Sequence, residues 1–240
     1  MITAASNSRI KRLVQLNQKS KLRRTEDVFL AEGVKMFLEA PREQLQEVYV
    51  SESFLEKCSC REHLGEVGYE VVSDSVFSKI SDTCTPQGVL CVLKQFHYNI
   101  EEMLRDKAPL FLLLENIQDP GNLGTMLRTG EGAGVSGIIM SRDTVDLYNP
   151  KVIRSTMGSI YRVPFYYADD FAAAVHQVQQ AGVSVYAAHL RGKNSYACQD
   201  YTKGTAFLIG NEGNGLREET AELADCYIRI PMEGKVESLN

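Results

Sequence analysis

The sequence contains no run of about 18 consecutive apolar residues, the length that a helix needs to cross a lipid bilayer. Its N-terminal residues lack the apolar core of a secretory signal peptide. The six cysteines include no CxxC pair, a pattern that disfavours both a zinc site and a disulfide framework. These absences predict a cytoplasmic protein with reduced thiols and no bound metal.

The first 25 residues contain no Asp or Glu but seven basic side chains, so the net charge of −5 is unevenly distributed. The rest of the chain carries a net charge of −12. A localised basic segment can bind nucleic-acid phosphates even when the whole chain is acidic. The alternative is a solvated amphipathic helix over residues 6–22. The candidate nucleic-acid contacts are Arg9, Lys11, Arg12, Lys19, Lys21, Arg23 and Arg24, together with Arg154 from a later helix.

Short hydrophobic strands alternate with helical segments along the whole chain, which predicts an α/β fold. Residues 1–95 are predicted to form a small N-terminal α/β domain. The polar residues 96–108 are predicted to be a linker, although they could equally be the first helix of the second domain. Residues 109–240 are predicted to be that second domain, with a mostly parallel sheet covered by helices.

Residues 109–137 predict a strand, a tight turn, a helix and a second strand. The hydrophobic run at 110–114 ends at Glu115, and helical spacing follows from residue 123 to residue 130. Asn122 is placed to cap that helix. Because βαβ units bind ligands at the carboxyl ends of their strands, residues 116–122 are a candidate site.

Two further glycine-containing turns follow hydrophobic strands, at residues 210–215 and 231–240. Glycine lets the backbone approach a ligand closely, so three such turns at one sheet edge could frame a pocket. The GxGxG at residues 130–134 follows a helix instead of opening one, which argues against a dinucleotide site. No Walker A loop or nucleophile elbow is present. Arg128 lies opposite Leu123 on a helical wheel. Two interpretations of its guanidinium are compatible with this spacing: ordinary exposure to solvent, or orientation toward the candidate site at the start of the helix.

Three segments resemble the signature motifs of the SpoU (TrmH-like) RNA 2′-O-ribose methyltransferases. They are ENIQDPGNLGTMLRTGEGAG from residue 115, LIGNEGNGL from residue 208 and IRIPMEGKVESLN from residue 228. All three occur in the family's order across residues 109–240. The N-terminal part resembles the small substrate-binding domain of rRNA-modifying members.

The resemblance implies an α/β-knot fold with a C-terminal trefoil knot, a homodimer, S-adenosylmethionine as methyl donor and an RNA ribose 2′-hydroxyl as acceptor. The implied catalytic residues are Asn122, Arg128, Glu212, Ser238 and Asn240. The implied cofactor-binding residues are Ala188, His189, Gly210, Ile230, Met232 and Leu239. In the family the third motif continues into an apolar helix, which we expect to follow Asn240.

Arg128 corresponds to the family's catalytic arginine. A guanidinium is a poor literal base because it holds its proton very tightly, so we expect Arg128 to bind the target phosphate and stabilise developing oxyanion charge. A phosphate or water would then accept the proton. The leading interpretation is an rRNA 2′-O-methyltransferase. The alternatives are a non-catalytic RNA-binding protein on the same fold, which the complete motifs disfavour, and a tRNA 2′-O-methyltransferase.

Overall fold

The computed structural model describes residues 1–57, 60–105 and 107–234. The strands within these residues are, in chain order, β1 (Val28–Glu32), β2 (Leu45–Ser51), β3 (Glu70–Val72), β4 (Val89–Lys94), β5 (Leu110–Leu114), β6 (Gly137–Ser141), β7 (Phe165–Ala168), β8 (Ser184–Ala188), β9 (Asn194–Ser195), β10 (Thr205–Ile209) and β11 (Cys226–Arg229). The α-helices are α1 (Ser8–Gln18), α2 (Ser20–Glu26), α3 (Val34–Leu38), α4 (Glu52–Lys57), α5 (Arg61–Val67), α6 (Asp74–Ile80), α7 (Ile100–Met103), α8 (Pro120–Ala133), α9 (Pro150–Thr156), α10 (Phe171–Gln180) and α11 (Glu218–Ala221). None of the helices just given is long and apolar enough to span a membrane.

The chain divides into two units by its internal contacts. Unit 1 comprises residues 1–96 and 146–161, and unit 2 comprises residues 97–145 and 162–240. The segment 146–161 thus packs with the N-terminal residues, although it lies within the sequence range predicted for the second domain. The predicted functional boundaries at residues 95 and 108 stay a prediction.

Unit 1 is built on a four-stranded mixed sheet with the strand order β1-β4-β2-β3. β4 pairs antiparallel with β1 and β2, whereas β3 joins β2 in parallel. Helix α1 buries Ile10, Leu13 and Leu16 almost completely against this core, because these apolar residues repeat every three positions. The single helix predicted over residues 6–22 is wrong in one respect, since Lys19 adopts an extended conformation and separates α1 from α2.

The segment 146–161 is attached to unit 1 by aromatic and polar contacts. The ring centroids of Phe29 and Tyr148 are 4.8 Å apart, and the Tyr161 hydroxyl donates a hydrogen bond to the Met36 carbonyl at 3.0 Å. An aromatic side chain buries a large area, so these contacts hold the segment firmly. The segment also supplies one partner of each of two ion pairs described below, Asp146 for Arg23 and Arg154 for Asp82.

Unit 2 contains a seven-stranded sheet in the order β7-β6-β5-β10-β8-β11-β9, and every strand pairing in it is parallel. The predicted α/β class and parallel sheet are confirmed. One face of the sheet packs against α10 and α7 to form the core, in which Ile100 and Met103 of α7 are buried. The polar segment 96–108 therefore contains the first helix of unit 2, the second of the two alternatives drawn from the sequence.

Candidate active site

Three polar turns lie at the carboxyl edge of the unit 2 sheet because their strands run parallel. The first turn (residues 115–119) follows β5, the second loop (residues 210–215) follows β10, and the third segment (residues 230–234) follows β11. Leu114 pairs with Ile209 in neighbouring strands. The first turn and the second loop therefore leave the sheet at the same level.

Asn116 redirects the chain in the first turn with a left-handed backbone conformation, φ 54°. Asparagine adopts this conformation more readily than most residues other than glycine. The Asn116 N–H donates to Ser141 Oγ at 2.8 Å, and its carbonyl accepts from Asn211 Nδ2 at 2.8 Å. The last residue of β6 on one side and a residue that follows β10 on the other thus hold the turn.

Helix α8 begins at Pro120 and is capped by Asp119, whose side chain accepts the Asn122 N–H at 2.8 Å. Proline is favoured at the first helical position because its missing N–H needs no partner there. The prediction that Asn122 caps the helix is therefore wrong. Asn122 lies in the first helical turn, and its side-chain amide is directed to the second loop.

The Glu212 carboxylate of the second loop binds the first turn. It accepts the backbone N–H groups of Gln118 at 3.1 Å and Asp119 at 2.9 Å, and the Asn122 side-chain amide at 3.2 Å. Glu212 and Asn122, both predicted from the sequence as site residues, are thus brought into direct contact. This carboxylate fixes the geometry of the turn that begins α8.

The surroundings of Glu212 keep its carboxyl ionised. Partial burial opposes ionisation, but the hydrogen bonds from the Asp119 and Gln118 backbone and from the Asn122 side chain outweigh it and lower the pKa of Glu212. A carboxylate with a lowered pKa and several donors already bound is a weak proton acceptor. Glu212 is therefore better suited to positioning than to general-base catalysis.

Arg128 lies on the exposed face of α8, opposite the buried Leu123 and Leu127. Within the part of the chain that the structure describes, its guanidinium has no ion pair or hydrogen bond. Gly124, one helical turn earlier, carries no side chain that could block the route to the first turn. A guanidinium that is unpaired within the described residues is available to bind an anionic group.

The second loop requires glycine at position 210. A Cβ atom there would lie 2.2 Å from the backbone of Gly215 and Leu216, because the loop closes on itself through the paired backbones of Asn211 and Gly215. Any side chain at this position would displace the loop that carries Glu212. The glycine is thus explained by close packing of the loop.

The ends of β8, β10 and β11 carry the predicted cofactor-binding residues. Ala188 pairs with Ile228, and the His189 N–H donates to the Ile228 carbonyl at 3.0 Å, so β8 and β11 end side by side. Leu190 and Ile230, which follow these strands, expose 65% and 51% of their surface. Exposed apolar side chains beside backbone polar groups suit a ligand with a flat heterocycle.

These features fit S-adenosylmethionine, the donor that the resemblance implies. Among the predicted cofactor residues, Met232 is half-buried in the third segment. The predicted residues Ser238, Leu239 and Asn240 lie outside the described residues.

Several of the basic residues predicted to contact nucleic acid are engaged inside unit 1. Arg23 is 3% exposed, forms an ion pair with Asp146 at 2.5 Å and donates to the Leu16 carbonyl at 2.7 Å. A guanidinium buried in this way cannot reach a phosphate without breaking the fold, so Arg23 is a structural residue in this protein. Charge alone did not distinguish it from its neighbours.

Three other predicted contacts are also ion-paired. Arg12 binds both Glu26 and Glu47 at 2.7 Å, Arg154 binds Asp82 at 2.5 Å, and Arg9 binds Glu70 at 2.7 Å. Arg9 keeps an exposed side chain, whereas Arg12 and Arg154 are about one-third exposed. The predicted residues that remain most accessible are Lys11, Lys19, Lys21 and Arg24.

The sequence interpretation missed the support beneath the site. Glu115, the residue directly after β5, is 1% exposed and accepts hydrogen bonds from the Arg217 N–H at 2.8 Å and the Thr220 hydroxyl at 2.5 Å. Ser141 at the end of β6 and Asp143 just after it contact the first turn from the other side. The one available signal was a charged residue at the end of a hydrophobic strand, which often indicates a buried polar contact.

Residues 109–240 match the sequence profile of the SpoU rRNA Methylase family, and residues 7–91 match that of the MRM3-like substrate binding domain. The chain belongs to the SpoU rRNA methylase family. The resemblance of the three motifs is thereby confirmed. The SpoU match includes the first turn, α8, the second loop and the third segment.

Individual RNA methyltransferases are similar to the chain over its full length. The 23S rRNA (guanosine(2553)-2′-O)-methyltransferase RlmP of Bacillus subtilis (strain 168) is 31% identical, with 100% of this chain and 93% of that protein covered. A solved AdoMet-bound rRNA methyltransferase from Sinorhizobium meliloti is 30% identical with a TM-score of 0.84, covering 100% and 91%. A solved RNA 2′-O ribose methyltransferase is 28% identical with the same TM-score, covering 100% and 92%.

Proposed function

We propose that the protein transfers the methyl group of S-adenosylmethionine to a ribose 2′-hydroxyl in ribosomal RNA. The observation that carries this proposal is the contact of Glu212 with the first turn and with Asn122, at the start of the helix that carries Arg128. It joins two family motifs at one sheet edge. Membership of the SpoU rRNA methylase family and full-length similarity to rRNA methyltransferases support the same reaction.

Arg128 is proposed to act on the acceptor. A ribose hydroxyl must lose its proton as it attacks, and negative charge develops on its oxygen. The Arg128 guanidinium is a cationic hydrogen-bond donor, so it binds the adjacent phosphate and stabilises that oxygen. A phosphate oxygen or a water molecule accepts the proton.

Asn122 and Glu212 are proposed to orient the acceptor side of the site. Their hydrogen bond ties the first helical turn of α8 to the second loop, which sets the direction of α8 and of Arg128 on it. Correct orientation of reacting groups is a large part of catalysis for a reaction with an activated donor. We assign Ser238 and Asn240 to the same acceptor site from the family motif.

The donor is proposed to bind at the ends of β8, β10 and β11. S-adenosylmethionine, when bound, supplies an activated methyl group. Ala188, His189 and Gly210 would hold it through backbone groups, and Ile230 and Met232 through apolar contacts; Leu239 is assigned there from the motif. Enclosure by these apolar groups excludes water from the reacting atoms.

Unit 1 is proposed to bind the RNA. Residues 7–91 match a substrate-binding domain, and Lys11, Lys19, Lys21 and Arg24 are exposed. Structured RNA is recognised largely through its phosphates and its shape. Arg9 can add to this surface, whereas Arg12, Arg23 and Arg154 are excluded by their ion pairs.

We further propose that the protein acts in the cytoplasm as a homodimer and that its C-terminal part forms the family's trefoil knot. Family membership is the support for all three. Light scattering coupled to size-exclusion chromatography would measure the dimer mass, and a monomer that is fully active would overturn it.

The function is tested by incubating the purified protein with tritiated S-adenosylmethionine and ribosomal RNA from cells lacking the gene. We expect label at one alkali-resistant linkage, since a 2′-O-methyl group blocks cleavage of the neighbouring phosphodiester. Transfer RNA from the same cells serves as the comparison substrate. Label in tRNA alone would replace the rRNA assignment, and no label in any RNA would contradict the enzyme.

A further inference from the structure

Beneath the proposed site lies a set of polar contacts centred on Arg217, which follows the second loop. The Arg217 guanidinium pairs with Asp143, which follows β6, and approaches Glu115, which follows β5, at 3.4 Å. Its backbone N–H also donates to Glu115 at 2.8 Å. Arg217 therefore connects three parallel strands at the edge where the site lies.

Glu115 is the buried anchor of this set. Its carboxylate is almost wholly buried, and it accepts hydrogen bonds from the Arg217 N–H and from the Thr220 hydroxyl. A buried carboxylate is expensive unless it is fully paired. The chain supplies a hydroxyl, a backbone N–H and a guanidinium, and this donor set fixes Arg217 relative to β5.

Asp143 carries the connection to the first turn. Its carboxylate accepts a hydrogen bond from Ser141 Oγ at 2.5 Å, and Ser141 Oγ in turn accepts the Asn116 N–H. The backbone carbonyl of Asp143 accepts a hydrogen bond from Gln118 Nε2 at 2.6 Å. Asp143 thus binds the first turn directly at Gln118 and through Ser141 at Asn116.

The first turn is consequently bound from two sides. Glu212 holds residues 118 and 119 from the β10 side, and Asp143 with Ser141 holds residues 116 and 118 from the β6 side. Asn116 is in a sparsely populated conformation, which persists only where surrounding contacts stabilise it. Arg217 is the residue that bridges the β6 side to the strand beneath the turn.

We infer that Arg217 and Asp143 form a clamp that positions the first turn, and with it Asn122 and Arg128, for methyl transfer. Neither residue needs to touch substrate or cofactor. They act as positioning residues, and this catalytic role rests on the proposed function of the site. Their effect on the shape of the first turn does not depend on that function.

The test measures two properties of Arg217→Gln, Asp143→Asn and their double variant. We expect kcat for methyl transfer to fall about 10- to 100-fold while KM for RNA and for S-adenosylmethionine changes little, because misplacement affects the chemical step more than binding. Hydrogen exchange at residues 116–122 should become faster. Arg217→Lys, which can pair with one carboxylate, should restore part of both properties.

The double variant should lose no more kcat than either single variant, since both break one clamp. Arg162→Gln is the matched control: it breaks an exposed pair with Glu131 at the opposite edge of the sheet. An unchanged kcat together with unchanged exchange in Arg217→Gln would overturn the clamp, as would losses that multiply in the double variant. If the unaltered protein methylates no RNA, the proposed function fails, and the exchange data alone then decide for or against the clamp.

Discussion

The basic segment of unit 1 and the turns of unit 2 both contain charged candidate residues, but the two regions use them differently. In unit 1, Arg12 and Arg23 are consumed by internal ion pairs. In unit 2, Arg128 stays unpaired within the described residues, while Glu212 is hydrogen-bonded to the first turn, which precedes the helix that carries Arg128. The number of basic side chains that can bind an anion is thus set by ion pairing within the fold. It does not follow from the number of basic residues in a segment.

The largest expected effect is the loss of activity on replacing Arg128, an arginine of unit 2 with no partner among the described residues. Arg128→Ala should lower kcat about 100- to 1,000-fold, because it removes the donor that stabilises developing negative charge. Binding of S-adenosylmethionine, measured by calorimetry, should be unchanged. The control is Arg162→Ala at the opposite sheet edge, which should keep full activity. A normal rate for Arg128→Ala with intact cofactor binding would contradict the assigned role.

Arg23 and its neighbour Arg24 give the next test, because they are adjacent in sequence and differ in burial. Arg23→Ala should destabilise unit 1 by about 2–3 kcal/mol, since Asp146 and the backbone carbonyls of Leu16 and Asn17 lose their partner. Arg24→Ala should change stability by less than about 0.5 kcal/mol. Urea unfolding of both variants measures this difference. Equal stabilities would mean that the buried pair contributes nothing.

The same contrast explains how much the sequence could predict. The α/β alternation and the three strand ends were predictable because parallel strands always bring their carboxyl ends to one edge, which placed Asn122 and Glu212 together. The pairing of Arg23 with Asp146 was not, because 123 residues separate them and no local pattern connects them. Charge was visible in the sequence, but its partner was not.

The support under the site was hidden for a related reason. Glu115 is visible as the end of a hydrophobic strand, yet its partners Arg217 and Thr220 are more than 100 residues away. Asn122 and Asp119 both have side chains that are favoured at a helix N-cap, so residue type alone does not show which of them caps α8. Asp119 performs that role because Pro120, not Leu123, starts the helix.

Glu212→Gln sharpens the comparison within unit 2. The amide keeps the shape of the side chain, but its NH₂ group opposes one of the donors now bound by the carboxylate. We expect kcat to fall about 10- to 100-fold through misplacement of α8. Glu131→Gln, at the far end of the same helix, is the control. Full activity in Glu212→Gln would show that the first turn is held without this contact.

Lys21 and Arg24 test the accessible part of the basic segment. Replacing either with Ala should weaken RNA binding by a modest factor and reduce the slope of log K against log salt by about 1. Folding stability should be unchanged. Arg12→Gln is the contrast, because its guanidinium is already paired with two carboxylates. A salt slope that falls as much in Arg12→Gln as in Lys21→Ala would place the ion-paired residue in the RNA interface.

The smallest expected effect is on the pH dependence of stability in unit 2. The pKa values of Glu212 and Asp143 are lowered from their ordinary values of 4.5 and 3.8. Burial opposes this shift, but it is outweighed by hydrogen bonds to the Asp119 and Gln118 backbone for Glu212, and to Ser141 and Arg217 for Asp143. A lowered pKa in the folded state stabilises the protein above the ordinary value, and this stabilisation is lost as the pH falls below it.

We therefore expect the urea midpoint to be flat from pH 7 to about pH 5 and to fall below that. Since both side chains are partly exposed, each should contribute less than about 1 kcal/mol. The midpoint of the double variant Glu212→Gln, Asp143→Asn should fall less steeply over the same acid range. An identical acid slope in the variant and in the unaltered protein would show that these two carboxylates contribute no pH-dependent stability, and that their role at the sheet edge is confined to geometry.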